Sequence, residues 1–479
     1  MRRTKIVATL GPGSSTPEVI EEMIRAGVDV FRLNFSHGSH EEQRHRNELI
    51  RACSEKVGRV VGVLADLQGP KIRTGRFVEG RVQLIRGERF ILDADQGEFD
   101  GTNERVGITY KDLPKDVKPG NQLLLDDGRV ELEVVEVMGN EIHCIVGYTC
   151  ELSDSKGINL KGGGLSAPAL TEKDKEDIKA AAELDVDYVA LSFARSADDV
   201  HLCRDYVKKA GSAAGIVTKV ERADAIVNIE EIIEASDVIM VARGDLGVEL
   251  GDAELPAIQK SMIKRARELN KVVITATQMM ESMIDNPIPT RAEVFDVANA
   301  VLDGTDAVML SGETAVGRYP VKVVQAMSRI CEHAEKQNEA LTSDHRIHLI
   351  FGRVDEAIAM ATMYTANHLD VAAIASLTES GATVLWMSRI SSGIPIYALT
   401  RHHKTQRKVA LYRGVYPVGI EKDTLGPIRV TQSVVDVLLG KNIVSTGQRI
   451  IMTRGDLIDE RGAGTNSMKI VDIPEHKNL

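Results

Sequence analysis

With 479 residues, 43% hydrophobic and 27% charged, the chain is too long for one core and has the composition of a globular protein of roughly two to four domains. A formal net charge of −11 denies it the basic footprint that nucleic-acid phosphates require, although a local cluster of Arg and Lys can still hold an anionic small molecule. Cys53, Cys144, Cys150, Cys203 and Cys331 have no metal-type spacing and read as reduced packing thiols, and no apolar run reaches the ~18 residues of a membrane span, so the expectation is a cytoplasmic protein with no membrane partner.

Short apolar, β-branched runs recur along the chain, most followed by an amphipathic helix pattern. They predict strands at Lys5 to Leu10, Val28 to Leu33, Val60 to Ala65, Tyr188 to Ser192, Ile216 to Val220, Val238 to Ala242, Val272 to Ala276 and Ala307 to Leu310. Eight strand–helix units over roughly 250 residues are the size of a (β/α)8 barrel. Thr171 with Asp174, and Pro289-Thr290-Arg291, read as helix starts. The third unit is interrupted, because its strand ends at Asp66 and its helix appears only at Thr171. The stretch between alternates apolar and polar residues (Arg81 to Ile85, Gln122 to Leu125, Val130 to Val137, Glu141 to Val146) with Gly and Asp-Gly turns. It predicts an antiparallel β-barrel lid inserted at the catalytic face, with Gly162 to Gly164 as its hinge or as a phosphate cradle. Beyond a polar linker, Gln337 to His348, the pattern resumes: helix Val354 to His368, strands Ala372 to Ser376 and Pro395 to Leu399, helix Ile428 to Leu439, strands Arg449 to Thr453 and Lys469 to Val471. This predicts an open α/β sheet of about five strands. The expected division is a catalytic barrel over 1–69 and 167–337, a lid over 70–166 and a C-terminal α/β domain over 338–479.

In such a barrel the reactive groups follow the strand ends. Here these are Thr9; Arg32, Asn34, Ser36 and His37; Asp66, Gln68, Lys71 and Arg73; Ser192 and Phe193; Lys219 and Glu221; Arg243 and Asp245; Thr275, Thr277 and Gln278; Ser311, Glu313 and Thr314. A purely structural barrel would not need a polar group at nearly every strand. Carboxylates Asp66, Glu221 and Asp245 without clustered His and Cys favour a hard divalent cation over zinc. Arg32 and Arg73 supply forked donors for phosphate, and Lys219 a compact charge for a developing oxyanion. The indicated chemistry is metal-assisted handling of a phosphorylated substrate, with no GxxxxGK[ST] loop for a nucleotide. Singly, the same residues also read as helix-dipole carboxylates or rim ion pairs, and His37 as a turn histidine.

Together the residues resemble the pyruvate kinase family, of bacterial type. The matching stretches are Phe31-Arg-Leu-Asn-Phe-Ser-His-Gly38, Asp66-Leu-Gln-Gly-Pro-Lys-Ile-Arg73, Thr218-Lys-Val-Glu221, Met240-Val-Ala-Arg-Gly-Asp-Leu-Gly-Val-Glu249, Ala276-Thr-Gln-Met-Met-Glu-Ser-Met283 and Leu310-Ser-Gly-Glu-Thr314. The resemblance implies phosphoryl transfer from phosphoenolpyruvate to ADP, giving pyruvate and ATP in the last step of glycolysis. It implies Mg2+ (or Mn2+) on Glu221 and Asp245, with Lys219 as the charge-neutralising catalytic group. Arg32 and Arg73 would clamp phosphate, Gly244 and Asp245 N–H groups would receive the carboxylate, and Thr277, supported by Ser311, would position the group that protonates the enolate carbon. Asp127 would be a lid contact to the nucleotide. Asn34, Ser36, Asp66 and Leu67 match a monovalent-cation pocket, but Lys71 stands where many relatives carry Glu, so its ammonium is expected to replace K+ and make that ion dispensable. Thr378, Ser380, Gly381 and Thr383 resemble an effector loop for a phosphorylated allosteric ligand, with Ala382 where Arg is common. A homotetramer is implied as well. The alternative carried beside this is an Mg-dependent barrel lyase acting on phosphoenolpyruvate or pyruvate.

Overall fold

The computed structural model describes residues 1–337, 350–421, 430–455 and 464–475. Eight parallel strands close into a barrel: β1 (Lys5–Thr9), β2 (Val30–Asn34), β3 (Gly62–Asp66), β4 (Tyr188–Leu191), β5 (Gly215–Val220), β6 (Val238–Ala242), β7 (Val272–Ala276) and β8 (Ala307–Leu310). Each pairs with its neighbour in sequence, and β8 returns to β1 through Lys5↔Ala307 to Ala8↔Leu310. Both faces of every strand are covered, which is why these segments read as continuous apolar runs. The expected strands are all present, displaced by one or two residues at some ends.

The helix starts follow local chemistry. Ser39, Thr171 and Thr290 each accept the N–H of the third helical residue, while Glu42, Asp174 and Glu293 return the bond to the cap backbone. Asp174 has a second task. Its Oδ1 accepts the Gly69 N–H at 3.0 Å, so the point where the chain leaves β3 for the insertion is tied to the point where it comes back.

The insertion forms a six-stranded sheet in the order 158–160, 122–125, 130–138, 141–146, 89–93, 105–107, and a two-stranded sheet of 81–84 with 150–153. Its pairings are antiparallel except Arg89–Asp93 with Arg105–Gly107, a parallel pair that the alternation did not announce. Phe90, Leu92, Leu123, Leu132, Ile142 and Cys144 give the insertion its own core.

The C-terminal sheet contains β9 (Ala373–Leu377), β10 (Ile396–Thr400), β11 (Val415–Gly419), β12 (Arg449–Arg454) and β13 (Ser467–Asp472), in the order β11-β10-β9-β12-β13 with only β13 antiparallel. β11 is an addition to the expected strands: VYPVG carries Pro and Gly, which mask it in sequence. The expected helix at 428–439 is Val430–Gly440, and the start of that expectation, like the linker from 338, lies outside the described residues.

This sheet packs under the barrel's N-terminal end. Val7, Val30, Leu64, Val217 and Ile274 of the barrel interior belong to one apolar cluster with Ile374, Val384, Ile396 and Ile451. Around it, Tyr188 donates its hydroxyl to the Lys408 carbonyl (2.7 Å), Lys5 donates to the Val415 carbonyl (2.6 Å), and Arg407 pairs with Asp187 (2.7 Å). Arg389, 1% exposed, grips both oxygens of Asp306, which also accepts the Val273 N–H. The five cysteines are free thiols, and burial pushes Cys144, Cys203 and Cys331 up to about 12, so they act as packing groups. Among the described residues no helix is long and apolar enough to cross a membrane.

Candidate active site

The carboxyl ends of β2 to β7 deliver the charged groups to one mouth. β5 ends one residue before Glu221, and Lys219 is paired with Met240 of β6. The Lys219 ammonium donates to Ser192 Oγ (2.8 Å), meets Glu221 Oε1 (2.8 Å) and lies 3.4 Å from Asp66 Oδ1. Burial alone would depress this ammonium, but the Asp66 and Glu221 carboxylates outweigh it and hold its pKa above the ordinary value. Glu221 goes the other way. Desolvation raises it, Lys219 opposes, and the nearby Asp245 charge adds to the rise. Its second oxygen accepts the Phe193 N–H (2.9 Å).

Asp66 is 1% exposed and pairs through Oδ2 with Arg32 Nε (2.6 Å), whose Nη1 reaches Thr9 (3.0 Å). Burial works against the Asp66 carboxylate, yet Lys219 and Arg32 hold it below its usual range. Its Oδ1 is a buried oxygen without a hydrogen bond. Ser192, which the strand-end survey noted without assigning a role, links the cluster by donating to the Leu67 carbonyl (2.8 Å) while accepting from Lys219. Adjacency in sequence could not reveal this, because its partners come from β3 and β5.

Lys71 is in the mouth, but its ammonium is aimed at Asp245, 3.0 and 3.3 Å from the two oxygens, rather than at the pocket of Asn34, Ser36, Asp66 and Leu67 that it is expected to serve. Asn34 Oδ1 accepts the Ser36 N–H (3.0 Å), and Asn34 is in register with Asp66, so the four residues of the monovalent-type pocket are neighbours. Arg73 is turned to the insertion, donating to the Ser155 carbonyl (2.9 Å). His37 is lowered first by burial and then by the Arg73 and Arg32 charges, which places it beside both guanidiniums as a neutral ring rather than an acid.

Gly244 is in the first turn of the helix Arg243–Leu250, and its N–H donates to Thr277 Oγ1 (2.8 Å). Thr277 in turn donates to the Ala276 carbonyl (2.6 Å). The Ser311 N–H is held by Glu313, which also receives the Met280 N–H and so joins the loops after β7 and β8. Asp127 is an exposed left-handed turn residue of the insertion. In the C-terminal sheet, Thr378 and Ser380 hydroxyls accept the N–H groups of Gly381 and Ala382, while Thr383 is buried against Thr465 (2.6 Å).

The donor set suits a hard divalent ion. Glu221 and Asp245 are carboxylates already facing ammonium groups, and Mg2+ binds through one or two carboxylates completed by water and substrate oxygens. Among the described residues no group of three His, Cys, Asp or Glu side chains forms a larger cage.

Gly162 to Gly164 form the return path from the insertion. Their φ values are 83°, 79° and 101°; Gly162 N–H donates to the Glu249 carbonyl and Gly164 N–H to the Asp224 carboxylate. Two of these N–H groups are taken by the barrel rim and that of Gly163 by the Leu160 carbonyl (3.0 Å), which leaves none of the three free to cradle a phosphate.

Comparison with known proteins agrees with this geometry. Residues 1–324 match the family model for the pyruvate kinase barrel domain, and residues 356–471 that for the pyruvate kinase alpha/beta domain. The chain is 54% identical to pyruvate kinase II of Salmonella typhimurium over 477 residues, covering 99% of both chains. It is 52% identical to a pyruvate kinase of Haemophilus influenzae, covering 95% of this chain and 96% of that one, and 42% identical to one of Staphylococcus aureus, covering 98% and 80%. With full-length relatives of this identity, family models over both the barrel and the C-terminal domain, and a Lys219–Glu221–Asp66 cluster at the barrel mouth, the chain belongs to the pyruvate kinase family.

Proposed function

We propose that this chain transfers the phosphoryl group of phosphoenolpyruvate to ADP, giving pyruvate and ATP. The observation that carries the reading is Lys219: an ammonium buried at the barrel mouth and kept charged by Asp66 and Glu221. The bond from phosphorus to the enol oxygen breaks as one to the ADP oxygen forms, and the enolate oxygen keeps the electron pair. A fixed positive charge there lowers the barrier because it needs no reorganisation as negative charge develops. Ser192 and Glu221 fix the direction of the Lys219 ammonium. Arg32, itself held by Asp66 and Thr9, offers its remaining N–H groups to phosphate, and Arg73 joins it when it leaves Ser155. The Asp245 N–H, at the start of a helix, receives the substrate carboxylate, joined by that of Gly244 when it leaves the Thr277 hydroxyl, and Thr277 with Ser311 places the proton donor for the enolate carbon. Glu221 and Asp245 would hold Mg2+ (or Mn2+), which neutralises phosphoryl and carboxylate oxygens when bound. Lid residues, Asp127 among them, exclude water that would otherwise take the phosphoryl group.

The reading extends to finer points. Lys71 brings an ammonium into the mouth beside Asp245, which supports activity without K+ despite the pocket of Asn34, Ser36, Asp66 and Leu67. The enzyme works as a homotetramer in the cytoplasm and answers to a phosphorylated effector at Thr378, Ser380, Gly381 and Thr383. Its units are the barrel 1–69 with 167–337, the lid 70–166 and the regulatory domain 338–479.

Lys219→Met tests the central claim. ADP-dependent pyruvate formation should fall on the order of 10²–10³-fold in kcat, and a variant of unchanged activity would remove Lys219 from the mechanism. Assays in K+ and in a tetraalkylammonium salt should give the same rate within about twofold; a loss beyond that returns the monovalent ion to the site.

A further inference from the structure

Ala242 is paired with Ala276, so Arg243 and Thr277 leave β6 and β7 side by side. Thr277 has φ 67° and Gln278 φ 54°. The left-handed region is an outlier for a β-branched residue, which adopts it only when its surroundings hold it there, and such positions cluster at sites of function. The side chain that reaches both peptides flanking Thr277 is that of Arg243. Arg243 Nε donates to the Ala276 carbonyl (3.1 Å) and Nη2 to the Thr277 carbonyl (2.7 Å), so the two peptide groups that flank Thr277 are bound to one planar guanidinium. Behind it, Nη1 pairs with Asp296 (2.6 Å) on the helix Arg291–Asp303, which follows the same loop. The Arg243 side chain is only 10% exposed. The next residue, Gly244, completes the frame by donating its N–H to the Thr277 hydroxyl.

We propose that Arg243 is a positioning residue for proton delivery. By binding the carbonyls on either side of Thr277 it holds that residue in its left-handed conformation and so keeps the hydroxyl, which without substrate donates to the Ala276 carbonyl and accepts the Gly244 N–H, at the strand end where the enolate carbon is protonated. This rests on the reading above in which Thr277 places the proton donor. In that step the enolate carbon takes a proton with the electron pair of its C=C bond, while the oxygen returns to a carbonyl. The reverse step releases a pyruvate methyl proton to solvent. A lysine at 243 carries the charge but is a point donor, unable to hold two carbonyls and a carboxylate in one plane.

Arg243→Lys, Asp296→Asn and Thr277→Val are compared with the wild-type enzyme in two assays: steady-state turnover of phosphoenolpyruvate, and exchange of pyruvate methyl protons in D2O with Mg2+ and inorganic phosphate. For Arg243→Lys the expected result is a loss in exchange and in kcat on the order of 10²-fold, the scale of a misplaced reacting group, with KM for phosphoenolpyruvate within about threefold. Asp296→Asn, which loosens the guanidinium from behind, should lose a smaller factor with the same split. Millimolar guanidinium added to Arg243→Ala should restore part of the exchange, which a merely structural role would not allow. Wild-type exchange in Arg243→Lys, or in Asp296→Asn should the former not fold, beside a Thr277→Val variant that has lost it, overturns the inference. Undiminished exchange in Thr277→Val overturns the reading of Thr277 itself, and with it any positioning role for Arg243.

Discussion

At the bottom of the barrel the C-terminal sheet shares an apolar cluster with the barrel interior, Arg389 and Asp306 are ion-paired out of contact with water, and a partly buried Arg407 pairs with the buried Asp187. At the mouth, the insertion keeps its core to itself and meets the barrel through the glycines 162 to 164, the Arg222 bond to the Leu165 carbonyl (2.6 Å) and the Lys71–Asp245 pair. A cavity of roughly 20 Å³, about the room of one water, remains between Lys71, Phe193, Arg222, Asp245 and Glu249. One junction is built from area removed from water and from buried charges that must stay paired; the other is built from backbone bonds at glycines. The contrast teaches which end of the barrel can move at small cost. Function that needs opening is placed where little apolar surface would be exposed.

The contrast can be broken most forcefully at the bottom. Arg389→Met leaves Asp306 buried without its main counter-charge and should cost about 3–5 kcal/mol in denaturant unfolding, while the folded fraction keeps its turnover number. If specific activity fell with stability, the two ends would be coupled more tightly than their contacts suggest. At the mouth the signature should invert. An added Cβ at Gly163 would lie 2.0 Å from Asp224 Oδ1 and the backbone is left-handed there, so Gly163→Ala should change kcat and KM together, on the order of tenfold, for a stability loss of about 1–2 kcal/mol. A last effect is one of pH. Glu249, beneath the hinge, is raised by burial from 4.5 to about 7, against the Ala223 N–H, Arg222 and Asn159, with Asp224 adding to the rise. Between those values the folded chain holds a proton that the unfolded chain has lost. Stability contributed at this position therefore declines as pH rises from 4.5 to about 7, and Glu249→Gln should flatten the denaturation profile over that window.

The barrel was legible because a parallel sheet covered on both faces leaves unbroken apolar runs, and the capping pairs at Thr171 and Thr290 mark helix starts by chemistry confined to four residues. The insertion was legible as a change of period, but not its strands Arg89–Asp93 and Arg105–Gly107, whose parallel pairing needs no local signal. In the site, Lys219 and Glu221 share a strand end, so their association could be read directly. What Ser192 and Arg243 do could not. Arg243 meets Ala276 and Asp296 at separations of 33 and 53 residues, and its role exists only once β6 and β7 are in register. Lys71 was read as a charge near the right place, but its partner depends on how the insertion leaves β3.

The bond between Gly69 and Asp174 bears on how the molecule comes to be folded at all. β3 and β4 meet at Leu64↔Tyr188 with the whole insertion between them. For a flexible chain, each tenfold lengthening of such a loop raises the entropic cost of closure by about 2 kcal/mol. A collapsed insertion whose two ends are joined through one buried carboxylate behaves instead as a short connection. The loop-closure cost at the β3–β4 seam is therefore smallest when the insertion, condensed around Phe90 and Leu132, forms before the seam closes. A late-forming insertion would leave the third and fourth strands as unpaired edges, the kind of surface on which chains aggregate during synthesis.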